Sequence, residues 1–449
     1  MWEEGFQSMK LRQLYPLADL LGQHQLWSWI SFDVANQSFT LIINTLLFPI
    51  FFSEVVVQDP SKDDRIWALT YGSSMLLCAL LSPIAGAMAD ERAWKKRLLL
   101  GSGLGCALLT CGFSWIQPGQ IALAILLYIP ANFLFAIGEN FLATFLPSLT
   151  SEQNVGRVSG FSWACAYAAA LLLLVITAGL MTLLNRMHPE QWRPFFAFAG
   201  IWFLVFTVPT ALWLHEPSVD ASPSSNSWLL RSGFVRLMET LQEVSRYRDL
   251  AILFLASLFY ATGMSVVIFF ASKLAVEYGF SQVGLVLFVA VITVSGIIGT
   301  LVTTLYQDRV GHRRFSLWLL GLWVLATSIF AVYAHGYELH RVNGATTPYP
   351  TWPLWGIGNL LGFGLGSLGS ANRAFVAYLT PRGKAAEAFG LWGMVFKLAA
   401  VMTYPFAWIK DVRGTPAALI FLTLLLVVGW GLTLLISETR GRKAIESSM

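Results

Sequence analysis

Long apolar runs separated by short polar breaks occupy most of the chain between residues 27 and 436. A bilayer with a hydrocarbon core of ~30 Å needs about 20 apolar residues for each helical crossing, and twelve runs reach this length. They span approximately 27–52, 66–89, 98–116, 121–145, 158–184, 194–214, 250–272, 283–306, 315–334, 352–379, 388–409 and 416–436. Lipid offers backbone amides no hydrogen-bond partners, so runs of this length predict helices and not barrel strands. The pattern predicts an all-α polytopic membrane protein with twelve transmembrane helices.

Composition and charge agree with a membrane protein. Of 449 residues, 56% are hydrophobic and 12% are charged, against roughly 25% charged in soluble domains. The net charge of +4 is what basic loops on one membrane face would give, and nucleic acid is not expected as a partner. All four cysteines fall within predicted spans without CxxC spacing, so we interpret them as small apolar residues.

The chain divides into two sets of six spans. Its longest polar stretch, 215–249, separates them and combines a Ser/Pro linker with an amphipathic segment that predicts an interfacial helix over 230–244. We therefore predict an N-terminal half at 27–214, a C-terminal half at 250–436 and a tail at 437–449. Residues 1–26 lack the apolar core of a signal peptide and predict a short interfacial helix around Leu11, Leu14, Leu17 and Leu21.

Lysine and arginine counts give an orientation. Of 29 such residues, 19 fall on the side of the two termini and 8 on the other, and Arg373 and Lys397 lie inside spans. Because basic residues accumulate in cytoplasmic loops, both termini and the linker are predicted to be cytoplasmic.

Two pairs of loops repeat between the halves. GAMADERAWKKR follows span two and TLYQDRVGHRR follows span eight, while LTSEQNVGRVSG and LTPRGKAAEAFG occupy the fourth and tenth loops. Six-helix halves with corresponding short loops are typical of parallel-repeat transporters, whose substrate site lies between the halves near the midplane.

These loops resemble the signature of the major facilitator superfamily, in which the Asp and its basic neighbours latch helices together. The resemblance implies a latch built from Gly86, Asp90, Arg92, Lys95, Arg157, Asp308, Arg309 and Arg313. Residues 32–39, FDVANQSF, together with 145–167 and 369–397, resemble the vacuolar effluxer-like family within it. That family includes fungal vacuolar amino-acid exporters and bacterial members, which implies a transporter, here expected in a bacterial inner membrane. Phe32, Val34 and Gln37 replace the family's usual Tyr, Trp and Ser.

Polar residues inside the spans are the candidates for solute contact. In span one they recur at helical spacing and share one face, and the resemblance places spans one, four, seven and ten around a central cavity. The candidate substrate and cavity residues are Asp33, Asn36, Gln37, Asn44, Asn132, Glu139, Asn140, Tyr260, Asn359, Arg373 and Lys397. No cofactor or metal site is predicted.

The intramembrane charges have opposite signs in the two halves. Asp33 and Glu139 belong to the first half, and Arg373 and Lys397 to the second. A charge at the bilayer centre costs at least ~2.5 kcal/mol, so these groups should face the interior or each other. Three interpretations stay open: an ion pair that closes an inner gate, a site for a zwitterion or a proton, or a purely structural lock. For Lys397 a structural partner is favoured over a substrate contact.

Glycine and tryptophan add two expectations. Gly358, Gly362 and Gly366 recur every four residues in span ten, which predicts close approach of a neighbouring helix. Several tryptophans near span ends, Trp29 among them, are typical of an interfacial belt.

The sequence as a whole favours a secondary active transporter of a small solute. Amino acids or related small metabolites are the first expectation for the solute, and export coupled to protons is the expected mode. Another solute class (peptide, sugar, nucleoside or drug) and a transport-inactive receptor or scaffold are the alternatives. An enzyme is not expected, since HExxH, GxSxG and a convergent acid and histidine pair are missing from the sequence.

Overall fold

The computed structural model describes residues 16–20, 22–59, 63–92, 94–186, 188–216, 247–280, 282–344, 349–381 and 384–446. Over these residues the chain is helical and contains no strand. The predicted interfacial helix at 230–244 and most of the one around Leu17 lie outside the described residues.

Six long helices make up the first part of the fold. They are α1 (Gln23–Leu46, continued as Phe48–Val57), α2 (Asp63–Arg92), α3 (Lys95–Gly112), α4 (Ile121–Thr144), α5 (Val155–Leu183) and α6 (Arg193–Trp213). A one-turn helix, Leu146–Leu149, extends α4. Each helix coincides with a predicted span to within a few residues.

Six more follow, and a short helix closes the chain. They are α7 (Arg248–Glu277), α8 (Gln282–Val310), α9 (His312–Val342), α10 (Trp352–Leu379), α11 (Ala385–Val401, continued as Thr403–Arg413), α12 (Thr415–Leu434) and α13 (Glu438–Glu446). The prediction of an all-α fold with twelve long helices is confirmed. We call the membrane face at which α1 begins and α12 ends the terminal face.

One helix between the halves is rich in glycine. Among the described helices, nine are long and apolar enough to cross a bilayer, and the bent α1 makes ten. Helix α10 carries six glycines, and most of its residues are buried against protein neighbours, which fits its position between the halves.

Helix α1 is irregular where the sequence pattern assumed a regular helix. Phe39–Leu46 is π-helical, and the axis bends by 41° between Leu46 and Phe48. Pro49 has no N–H to donate to the carbonyl of Thr45, which explains why the α-helical ladder fails there. The polar face predicted for span one is regular up to Gln37, but Asn44 lies in the π-helical segment. Short π-helical segments occur frequently at functional sites.

The halves meet along two seams. At one seam α5 packs against α8 and α10, and at the other α11 packs against α2 and α4. Gly160 of α5 brings α8 so close that a Cβ there would lie 2.7 Å from the backbone nitrogen of Thr304. The core of the first half also includes Phe375 and Phe389 from the second half. These contacts close the assembly toward the terminal face.

The predicted close approach at the α10 glycines is confirmed. A Cβ at Gly362 would lie 2.7 Å from the carbonyl oxygen of Ile292, and one at Gly366 would lie 2.6 Å from that of Gly296. Both neighbours belong to α8, so the glycine ridge holds α10 against α8 within the second half.

Candidate functional site

A buried ion pair joins the two halves. Asp33 of α1 and Arg373 of α10 approach to 2.9 Å between Oδ2 and Nη1, and their side chains are 12% and 4% exposed. Ser162 of α5 donates a 2.5 Å hydrogen bond to the same carboxylate oxygen. Arg373 also donates from Nε to the Ser159 hydroxyl at 3.0 Å and from Nη2 to the Ser159 carbonyl at 3.2 Å. Three elements of two halves therefore share one polar cluster.

Aromatic rings enclose the guanidinium of Arg373. It lies 4.6 Å from the ring centroid of Trp29 and 5.7 Å from that of Trp163, within range of cation–π attraction. The expectation that Trp29 belongs to an interfacial belt is wrong. Its side chain is fully buried, and its Nε1–H donates to the carbonyl of Leu142 at 2.7 Å. The indole can therefore cover the ion pair with an apolar face while its N–H keeps a hydrogen bond.

A second ion pair crosses the other seam. Lys397 Nζ of α11 lies 3.6 Å from Glu139 Oε2 of α4. The side chains are 15% and 38% exposed, and the distance exceeds the 2.7–2.9 Å of a charge-assisted hydrogen bond. Glu139 is thus the partner for Lys397 that the sequence could not name, but the contact is loose.

The two pairs lie at different depths. Helices α4 and α10 are equivalent in the repeat and end at Leu149 and Leu379, where their loops begin with the same Leu-Thr. Glu139 lies ten residues before Leu149 and Arg373 lies six before Leu379. At 1.5 Å per residue the difference of one turn amounts to about 6 Å, so the Glu139–Lys397 pair lies farther from the terminal face.

Most other polar candidates of the first half bind one another. Asn44 donates to Asn132 Oδ1 at 3.1 Å and accepts from Tyr128 at 2.8 Å, and Asn132 donates to Ser74 at 2.7 Å. Asn140 donates to Ser82, also in α2, at 2.9 Å. These bonds tie α1, α2 and α4 together inside the half.

The second half contains two comparable groups. Ser295 of α8 donates to Asn359 Oδ1, and Asn359 donates to the carbonyl of Trp355 at 2.7 Å. Asn372 donates to the hydroxyl of Tyr260 and accepts from Trp392 Nε1 at 2.6 Å. Asn359 and Tyr260 therefore also serve packing between neighbouring helices.

Two candidates keep unbonded polar atoms in the described structure. Asn36 is 2% exposed, yet neither its Nδ2 nor its Oδ1 has a hydrogen-bond partner among the described residues. Asn140 Oδ1 is likewise buried without one. Gln37 is half-buried on the same helix as Asn36. Buried amides of this kind are rare and call for a ligand, a water or a second conformation.

One of the two predicted latches is visible. Asp308 at the end of α8 accepts hydrogen bonds from the backbone N–H groups of Gly156 at 2.9 Å and Arg157 at 2.8 Å. A carboxylate at the first turn of α5 satisfies amides that lack helical partners and complements the helix dipole. The Arg157 side chain turns away and pairs with Asp19 at 3.1 Å. The latch thus joins α8 of one half to α5 of the other.

The remaining latch candidates do not meet in one cluster. The backbone of Lys95 donates to Glu216 at 2.8 Å, and that of Arg313 donates to Glu438 at 2.7 Å. Both are local caps at the terminal face, where burial raises the pKa of Glu216. Arg309 is exposed, and the side chains of Asp90 and Arg92, as well as the surroundings of Gly86, lie outside the described part of the structure.

The chain end adds a contact between the halves that the sequence did not suggest. Arg442 of α13 pairs with Glu152, in the loop between α4 and α5, and donates to the carbonyl of Tyr378 at 3.1 Å. Arg440 pairs with Asp249 at 2.6 Å and anchors α13 on α7. Glu152, Arg442, Ser159 and Ser162 had no signal as single residues. The serine spacing of three in α5 could have indicated that both face Arg373.

A family model described as vacuole effluxer Atg22-like matches residues 61–446. The chain is 22% identical over 386 residues to the MFS-type transporter YxiO of Bacillus subtilis, covering 84% of this chain and 85% of that protein. It is 25% identical over 464 residues to autophagy-related protein 22 of Yarrowia lipolytica, covering 84% of this chain and 76% of that protein.

Solved structures of major facilitators share its architecture. The human organic anion transporter MFSD10 superposes with a TM-score of 0.71 at 15% identity, covering 92% of this chain and 99% of that one. The proton:xylose symporter XylE superposes with a TM-score of 0.66 at 14% identity, covering 95% and 98%. At these identities the likeness shows the fold and leaves the solute open.

Proposed function

This chain belongs to the vacuole effluxer Atg22-like family of major facilitator transporters, and we propose that it moves a small solute by alternating access. In this proposal residues 27–214 and 250–436 are the halves that rock around a site between them. The energy comes from an ion or solute gradient, and a proton is the proposed coupling ion.

One observation carries the proposal: the Asp33–Arg373 pair spans the two halves and is sealed from water. Opening the terminal face must separate these charges together with the hydrogen bonds from Ser159 and Ser162. Separation of a buried ion pair costs several kcal/mol. A solute or a proton that compensates one of the charges lowers this cost, which is how binding would drive the rocking motion.

We propose amino acids or related small metabolites as solutes and export as the direction. Two features support this choice: the resemblance to vacuolar effluxers, and the opposite charges that the halves present to each other. The terminal face would be the cytoplasmic face of a bacterial inner membrane, in keeping with its 19 of 29 lysines and arginines.

Counterflow in proteoliposomes tests the proposal. Purified protein is loaded with unlabelled solute and exposed to labelled amino acids, dipeptides, sugars, nucleosides and organic anions. Saturable exchange of an amino acid supports the proposal, whereas exchange of another class alone replaces the solute. If no class exchanges, the chain would be a receptor or scaffold on the same fold.

Proton coupling is tested in the same vesicles. Net amino-acid transport should rise when a pH gradient is imposed and should lose this dependence in Asp33→Asn or Glu139→Gln. Both carboxylates lie on the seams between the halves, and each is paired with a cation inside the spans. Net transport that ignores the pH gradient in the wild-type protein would contradict coupling to protons.

A further inference from the structure

The two ion pairs between the halves differ in how much of each charged group remains available for binding a solute. The side chain of Arg373 is 4% exposed and already binds Asp33, both oxygens of Ser159 and two indole faces. Three of its five N–H donors are hydrogen-bonded, and the guanidinium exposes little surface to a solute. Lys397 and Glu139, in contrast, touch each other once at 3.6 Å, and the carboxylate side chain is 38% exposed.

The accessible pair lies above the sealed one. Glu139 is about 6 Å farther from the terminal face than Arg373, by the one-turn offset between α4 and α10. Because that face is closed by Arg373 and by the Asp308 contacts to α5, we expect a solute to reach Glu139 from the opposite face. The Asp33–Arg373 cluster then lies between this pair and the terminal face.

An independent observation points to a missing ligand at the same level. Asn36 lies three residues beyond Asp33 along α1, about 4.5 Å farther from the terminal face. Asn36 is 2% exposed, and neither polar atom of its amide has a partner among the described residues. Asn140, which follows Glu139, donates to Ser82 but has no described partner for its Oδ1. One amide donor and two amide acceptors are therefore unused at about the depth of the loose ion pair.

Charge balance decides which ligand suits this site. A solute that is only cationic or only anionic would take one partner of the pair and leave the other uncompensated in a medium of low dielectric constant. A solute that carries both signs compensates both. The flexible stem of Lys397 allows the ammonium to move away from Glu139 and admit such a solute.

We propose that Glu139 and Lys397 form the binding site for a zwitterionic solute, with its ammonium on Glu139 and its carboxylate on Lys397. Asn36 and Asn140 supply amide contacts. This inference rests on the proposed transport function and deepens it by assigning the site to this pair and not to Asp33–Arg373. The other charged groups that act on Glu139 are Asp33 and Arg373, and the ionisable side chains of Tyr71 and Cys78 lie within range of the Glu139 carboxylate.

A selectivity switch tests the site. Inhibition of counterflow of the best-exchanged amino acid is measured with three competitors: L-leucine, its deaminated analogue 4-methylpentanoate and its decarboxylated analogue 3-methylbutylamine. Wild-type protein should prefer leucine. Glu139→Gln should weaken leucine at least tenfold and gain preference for 4-methylpentanoate, while Lys397→Gln should gain preference for 3-methylbutylamine. A purely structural ion pair would not exchange its ligand preference in opposite directions.

The Glu277–Lys410 pair is the matched control. Its atoms lie 2.8 Å apart with side chains 36% and 24% exposed, but both residues belong to the second half. Glu277→Gln and Lys410→Gln should keep the preference for leucine, and elution as a monodisperse peak checks that each variant is folded. Amino-acid exchange with unchanged preference in both seam variants would overturn the site and leave the transport function intact. Exchange restricted to sugars, nucleosides or simple anions would overturn the zwitterion, and no exchange of any class would remove both.

Discussion

The two ion pairs between the halves have the same composition and opposite surroundings. Asp33–Arg373 is buried, bonded by two serines of a third helix and covered by two tryptophans. In the Glu139–Lys397 pair the carboxylate side chain is partly exposed, and the two groups make a single loose contact. The comparison shows that the type of an intramembrane charge does not determine its role. A buried pair with several hydrogen bonds resists separation and suits a lock, whereas a loosely bonded pair suits exchange with a ligand.

The largest effect should come from removing one charge of the sealed pair. Arg373→Met leaves Asp33 buried beside Ser162 alone, and breaking a buried pair in this way costs about 3–5 kcal/mol. Lys397→Met should cost less than about 1 kcal/mol, since water still reaches Glu139. Thermal unfolding in detergent, followed by intrinsic fluorescence, compares the two.

An equal lowering of the melting temperature by both variants would contradict the different roles of the two ion pairs. Arg309→Met serves as the control, because Arg309 is exposed at the end of α8 and its loss should leave the melting temperature within a degree or so of wild type.

Charge reversal sharpens the contrast further. Asp33→Arg and Arg373→Asp should each reduce counterflow at least tenfold, equivalent to about 1.4 kcal/mol, because like charges then face each other between α1 and α10. The double variant should recover part of the activity, since an attractive pair is restored although the serine contacts are lost. Double-mutant analysis of initial exchange rates measures the recovery. A double variant as poor as the worse single one would argue against a gate made by this pair.

A third test loosens the seam between α5 and α8 without changing any charged residue. In Gly160→Leu the new side chain meets Thr304, whose Oγ1 would already lie 2.5 Å from a Cβ at that position. The halves should then separate at the terminal face. The probe is a cysteine introduced at Ser370, which is fully buried, in a background without the native cysteines. This cysteine should be alkylated several-fold faster than in the same background with Gly160 retained.

Gly101→Leu provides the matched change, because a Cβ there meets nothing within 4 Å. Equal alkylation in both glycine variants would mean that the α5–α8 contact does not hold the terminal face closed.

The smallest effect is expected from the chain end. Arg442→Gln removes the contact of α13 with Glu152 across the halves, and a pair at the protein surface contributes about 0–1 kcal/mol. Alkylation of the cysteine at Ser370 should rise by no more than a few-fold and should fall back when Glu152→Arg and Arg442→Glu are combined. A rise as large as that of Gly160→Leu would assign α13 a larger part in closure than its contacts indicate.

The sequence predicted the fold in detail because its main signal is local. A span reveals itself by about 20 apolar residues and needs no knowledge of its neighbours, and the ends of α10 agree with the predicted 352–379 to the residue. Helix α1 departed from its pattern from Phe39, where it becomes π-helical, and at the bend before Pro49, which lacks an N–H. The prediction of an interfacial belt was wrong for Trp29, because a side chain near the end of a span can also point into the protein.

The sequence predicted which kinds of residue form the candidate site, but not which carboxylate pairs with which cation. Helical spacing indicated that Asp33, Asn36 and Gln37 share a face, and the signs of the charges indicated attraction between the halves. Which carboxylate meets which cation depends on contacts more than 250 residues apart in the chain, such as 33 with 373 and 139 with 397. Neither composition nor periodicity contains that information.

What the sequence by itself determined is the set of helices, their order, the repeat and the presence of opposite charges in the two halves, since each follows from local hydropathy and from short matching loops. Only the tertiary structure decided that Asp33 and Arg373 are enclosed by Ser159, Ser162 and Trp29 while Glu139 stays partly exposed beside Lys397. The physical reason is that burial and hydrogen bonding depend on the surroundings of a residue, and these surroundings are assembled from helices distant in the chain.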